Sequence, residues 1–430
     1  MDMELRQNKL LGYNDMEEEK GDRFWFLFLL VGVFFGVLFY DLIGFDFLDE
    51  LMALVLAMKF GVAFILRRTK FAKPVFIVFF ISIFYLLYSF KIHSNVPRAI
   101  IFDYASQIKP YIGFFCTMAL MPHLDEWHKR FLRRFCWFVF VILLCIGLGG
   151  YKAQFLICAH PSRYATCVII CSMLYLYCSE LSWKFFFRAT LMMAIGLLSG
   201  RSKFFGFFVI YELLLFMKLK GYEFKWRMRD VMIGCFVLFL VIMVSWQKIA
   251  YYFIYGAFNS DETYARPALY MTAFEIFQDY FPFGCGFGSF AVNASATYYS
   301  PIYAEYGIDN FFGLSEAYPD FIADTYYPAL AQFGVVGLVL FIWFFVYIYR
   351  KQKLIPKDMP NLKILVIMGI FFFLIESTSD STFMHNRGFM FFVLMALSIC
   401  EGYRRRQLIG DSDSEPENGS PSGPNANMTL

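Results

Sequence analysis

Along the chain, hydrophobic residues fall in long runs separated by short polar connections: near 24–41, 46–66, 74–90, 99–121, 132–150, 164–181, 185–199, 203–217, 231–250, 331–349, 362–377 and 389–402. Runs of this length cover the hydrocarbon core of a bilayer as helices, so the pattern predicts about twelve membrane spans. The seventh and eighth are short and turn around 199–203. The first run follows a mixed acidic and basic leader and continues into further spans, which predicts a retained helix and not a cleaved signal. Two stretches depart from the pattern. Residues 251–330 form one long non-apolar segment, and 411–430 (DSDSEPENGSPSGPNANMTL) are polar and rich in helix breakers, so this tail is expected to lack stable structure.

Composition fits the same class. Of 430 residues, 59% are hydrophobic, 17% are charged and 57 are Phe, more apolar surface than a water-soluble domain can cover. The expected fold is an all-α polytopic membrane protein. Its parts are a cytoplasmic segment 1–23, spans over 24–250, a loop 251–330, spans over 331–402 and a disordered cytoplasmic tail 403–430. The net charge of +3 carries little by itself, because the basic residues are sorted by connection. RRTKFAK (67–73), HKRFLRR (128–134), KLKGYEFKWRMR (218–229), RKQKLIPK (350–357) and YRRR (403–406) are rich in them, and the intervening connections are poor. The positive-inside rule then puts both termini in the cytoplasm and 251–330 outside. This sorting gives no nucleic-acid patch. The ten cysteines show neither CxxC nor Cys/His ligand spacing; only Cys158 and Cys285 share a side closely enough to be considered as a pair.

Within the long loop, Leu269, Ala273, Ile276, Phe277 and Tyr280 recur at helical spacing behind Pro267, predicting an amphipathic surface helix over 267–280. FPFGCGFGSF (281–290) has the glycines of a phosphate loop without a strand or helix to frame it, and reads as a tight turn. Tyr298, Tyr299, Tyr303, Tyr306, Tyr326 and Tyr327 are either interfacial anchors or a platform for sugar rings. The outer side also collects Arg201 and Lys203 (in GLLSGRSKFFGFF), Arg266, Asp324, Asp380, His385 and Arg387. Each could be a snorkelling or capping residue taken singly. Arginines on the side that the sorting rule depletes have no orientation role, so together they point to an anion site. Lys109, with Pro110 expected to break its helix, either binds a second anion or pairs with Asp49 and Glu50.

The order SGRSKFFGFF, YARPALYMTAFEIF, FPFGCGFGSF and ADTYYPALAQFGVVG, covering 196–345, resembles the O-antigen polymerase and O-antigen ligase superfamily, and the repeat-unit polymerases of exopolysaccharide and capsule most closely. The resemblance implies a GT-C-like glycosyltransferase of the bacterial inner membrane, independent of metal or other cofactor. Donor and acceptor would be oligosaccharides linked to undecaprenyl diphosphate, with the bilayer and a chain-length regulator as further partners. Arg201 and Arg266 would engage the donor diphosphate and Asp324 would be the base, with His385 as its rival. Lys203, Lys109, Tyr264, Tyr327, His385 and Arg387 complete the substrate-binding set. Where the ligases and many polymerases carry His-Asn, this chain has Asp324-Thr325. The alternatives are an O-antigen ligase, differing in acceptor, and a flippase of the same lipid-linked units, which would be expected to show internal repeats and short loops.

Overall fold

A computed structural model of the protein describes residues 23–44, 47–222, 243 and 265–412. The described residues are helical with no strand beyond one isolated bridge, Ser315 to Tyr318. The main helices are α1 (Arg23–Leu38), α2 (Leu48–Ile65), α3 (Ala72–Ile92), α4 (Pro97–Leu120), α5 (Glu126–Leu148), α6 (Gly150–Cys158) and α7 (Pro161–Tyr177). They continue with α8 (Trp183–Ala194), α9 (Ser202–Leu219), α10 (Ala265–Asp279), α11 (Gly334–Lys351), α12 (Pro360–Glu376) and α13 (Asn386–Ser412). Local chemistry starts several of them. Pro97, Pro161 and Pro360 stand in first turns, where a missing N–H costs nothing. Asp125 caps α5 by accepting from the His128 amide at 2.8 Å, and Ser182 caps α8 through the Phe185 amide at 3.1 Å.

Every predicted apolar run falls on a helix except the ninth, 231–250, which lies outside the described residues apart from Met243. Among the described residues, three helices are long and apolar enough to cross a membrane: α3, α5 and the stretch Pro328–Leu354 that includes α11. The pair α6 and α7, bent by 76°, would make a fourth. The remaining helices are shorter or carry charges, so the twelve-span count is not reproduced by length and hydropathy alone. α3 turns Phe79, Phe80 and Leu87 outward, as a lipid-facing helix would. α13 is the opposite case, buried all round from Phe389 to Cys400 and packed on α4, α12 and α7. Gly113 of α4 makes this close contact possible, since a Cβ there would sit 3.0 Å from the Phe389 ring.

Pro110 does not break α4, which runs through it while packed against α2, α3 and α13. The tail expected to be disordered from 403 instead continues α13 to Ser412; residues beyond lie outside the described ones. α6 was not anticipated. Gly150, at φ +69°, turns the chain sharply after α5. The helix foreseen at 267–280 is α10, and Leu269, Ala273 and Ile276 face inward as predicted, with Thr272 buried beside them. The glycine loop is a packed turn. Gly284, Gly286 and Gly288 all have positive φ, and the Gly288 amide donates to Asp103 of α4 at 2.8 Å. A Cβ on Gly284 would meet the Gly334 nitrogen at 2.3 Å, so no room exists there for a phosphate.

Four of the five basic connections gather at one end; the fifth, 218–229, lies mostly outside the described residues. Lys129 pairs with Glu401 at 2.9 Å, Arg404 donates to the Met121 carbonyl at 2.9 Å, Arg405 pairs with Asp358 at 3.3 Å, and Lys351 lies 4.4 Å from the Phe71 ring centre. Residues 67–73, 121–134, 350–358 and 401–407 therefore adjoin. Along α13 that end is separated from Arg387 by about 25 Å, at roughly 1.5 Å per residue. The site described next lies at the Arg387 end.

Candidate functional site

Helix starts build one large cavity of about 800 Å³. Its wall takes Ser162 and Arg163 from the first turn of α7, Arg201 to Lys203 from the start of α9, Arg266 from the first described turn of α10, and His385 and Arg387 from the start of α13. None of these four helices has an acidic residue in its first turn. Helix N-termini present unpaired N–H groups and a positive dipole end, so added cations there are unfavourable for the helices themselves. The same arrangement is favourable for a bound anion. Asp320, Asp324 and Asp380 are the carboxylates of the lining, against Arg163, Arg201, Lys203, Arg266 and Arg387.

The charges are cross-linked between elements far apart in sequence. Arg266 Nη2 donates to Asp324 Oδ2 at 2.5 Å, and Lys203 pairs with Glu376 at the end of α12. Asp41 bridges two guanidinium groups, Arg163 at 2.5 Å and Arg387 at 3.2 Å, the latter only 4% exposed. Arg201 donates to the imidazole of His160, the residue that caps α7. The loop behind the site is fixed by backbone contacts. Tyr326 and Tyr327 amides both donate to the Ser377 carbonyl, and the Tyr270 hydroxyl donates to Thr378 O at 2.9 Å.

Electrostatics separate the candidate bases. Burial pushes the Asp324 carboxyl up; Arg266 opposes this by charge and hydrogen bond, and the balance stays above the ordinary Asp value. Burial, reinforced by Arg387, pushes the His385 imidazole down to about 4, so it is neutral at pH 7 instead of titrating there. Its Nε2 lies 3.1 Å from Ser381 Oγ. Burial also raises the Asp380 carboxyl, but Lys203, the Thr382 hydroxyl, His385 and Arg387 outweigh it and hold the group below the usual range.

The structure brings together Arg201, Lys203, Arg266, Asp324, Asp380, His385 and Arg387. Asp324 is not a helix cap. Its carboxylate is turned to Arg266, and the short helix that follows, Pro328–Phe333, starts without a side-chain cap. Lys109 lies apart, bound to Asp49 and Glu50 at 2.5 Å each, which resolves the two readings of that residue in favour of pairing. Tyr327 is outside the lining and donates to the Leu374 carbonyl. Tyr264 lies outside the described residues. Tyr303 and Tyr326 are core residues, the first bonded to Ser295 and the second to Gln107, so they offer no ring to a ligand. Cys158 and Cys285 are separate buried free thiols. Sequence reasoning missed His160, Arg163, Asp41 and Glu376. AHPSR (159–163) carried the signal, because Arg163 breaks the sorting rule in the same way as Arg201. No family model matches the chain, and no curated protein matches it.

Proposed function

We propose that the chain is a glycosyltransferase of the bacterial inner membrane that joins oligosaccharide repeat units carried on undecaprenyl diphosphate, working at the outer face with both termini in the cytoplasm. The observation that carries this reading is the convergence of three helix starts and the first described turn of α10, each bearing a cation, on one cavity that also holds a carboxylate of raised pKa.

The chemistry follows from the charges. Breaking the bond between the donor sugar's anomeric carbon and its diphosphate leaves negative charge on the departing undecaprenyl diphosphate. Fixed guanidinium groups stabilise that charge without reorganisation and with paired hydrogen bonds. The acceptor hydroxyl attacks the anomeric carbon and passes its proton to Asp324. Arg266 links the two tasks. A diphosphate competes with Asp324 for this guanidinium, and once Arg266 turns to phosphate, the carboxylate loses the partner that lowers its pKa and becomes the stronger base.

The test is chain extension by purified protein in liposomes supplied with lipid-linked repeat units, read as a ladder of lengths. Arg201→Ala and Arg266→Ala should abolish the ladder at unchanged protein level, and Arg→Lys should restore it poorly, because an ammonium cannot reproduce the two-pronged contact. Full-length polymer from both alanine variants would sink the assignment.

A further inference from the structure

Besides the helix starts, the same cavity is lined by Asn293, Asp320, Phe321 and Ala323 from the segment 281–330. Phe321 is 39% exposed and packs edge-on against Phe312, 5.9 Å between ring centres. Phe312 in turn stacks on Tyr318 at 6.3 Å, and these two rings are 76% and 61% exposed. The cluster is built, not loose. The Phe321 amide donates to the Gly313 carbonyl at 3.0 Å, and Gly313 has φ +85° with the Phe321 ring 2.1 Å from where its Cβ would stand. Only glycine lets the ring lie across that turn. The Tyr318 amide donates to Ser315 O at 3.1 Å and closes the other side. Asp320, next to Phe321 in the chain, and Asn293, in the same lining, have exposed side chains that make no hydrogen bond or ion pair with any described residue.

We infer that this wall is a saccharide subsite: the Phe321 edge of the aromatic cluster takes the C–H face of a pyranose, and Asp320 and Asn293 take its hydroxyls. A ligand with both apolar faces and hydroxyls matches both halves of the wall. The place of Phe321 in the same cavity, three residues from the Asp324 that pairs with Arg266, suits a sugar whose diphosphate lies against Arg201, Lys203 and Arg266. The inference rests on the lipid-diphosphate reading above and adds where the sugar is read. The tyrosines at 298–306 are not this platform, because none of Tyr298, Tyr299, Tyr303 and Tyr306 lines the cavity.

Binding of two probes to the detergent-purified full chain tests it: undecaprenyl diphosphate, and the lipid-linked oligosaccharides extracted from the native membrane. Phe321→Ala and Asp320→Asn should weaken oligosaccharide-lipid binding about three- to tenfold and leave undecaprenyl diphosphate binding unchanged, with Phe321→Tyr close to wild type. Arg201→Ala should weaken both. Unchanged binding of both probes by the Phe321 and Asp320 variants overturns the subsite, as does an equal loss for both probes accompanied by a lowered thermal midpoint, which makes the cluster structural. A wild-type chain that binds neither probe overturns the diphosphate reading and the subsite with it.

Discussion

Asp324 shows how a single side chain acquires a role from its surroundings. In the sequence it stands before a glycine-ended apolar run and serves equally well as a cap or a base; in the fold its oxygen faces Arg266 across 58 positions of chain. Asn keeps the shape and cannot accept the proton. Asp324→Asn should therefore lose on the order of 10²–10⁴-fold in extension rate at normal membrane abundance, and Asp324→His should recover part of it. An active Asn variant moves the base to His385. The pH sign follows from burial. The ionised carboxylate is the working form and its pKa is raised, so kcat/KM should fall as pH drops through a value above the ordinary Asp range, and that acid limb should persist in His385→Gln.

At the level of elements, periodicity located what periodicity can. The inward face Leu269, Ala273 and Ile276 of α10 and the turn at 281–290 were legible because spacing and glycine carry that information locally. α6 was not, since the apolar run of α5 extends to Gly150 and the residues after it are too few to span a membrane. Pro110 was misread for a related reason. Its local cost of about 3 kcal/mol in a free helix is offset by neighbours on three sides that no window of sequence contains. The exposed aromatic cluster of Phe312, Tyr318 and Phe321 was also out of reach, because exposure distinguishes those rings from the buried Tyr303 and Tyr326, and composition does not.

For the whole molecule, charge sorting was the most informative sequence signal. It grouped 67–73, 128–134, 350–357 and 403–406, which the structure joins at one end, and it set apart Arg201, Arg266 and Arg387, which meet at the other. A reporter fused within 290–320 should accordingly read as periplasmic and one after Arg406 as cytoplasmic; a cytoplasmic signal from the first would put the site on the wrong side. The convergent helix starts have a further consequence, for stability. Like charges held together at positive dipole ends repel; Asp41, Asp324 and Glu376 pair with Arg163, Arg387, Arg266 and Lys203, and Asp380 stands among them, whereas Arg201 makes no ion pair with a described carboxylate and meets the imidazole of His160. On the proposed reading, a polyanion bound at Arg201 relieves the remaining crowding, and the thermal midpoint of the purified chain reports its binding. Inorganic diphosphate at a hundred times its Kd should add about 2.7 kcal/mol, seen as a concentration-dependent rise in Tm that high salt weakens and that Arg201→Ala removes. A midpoint indifferent to diphosphate would mean that the cations are already balanced from within.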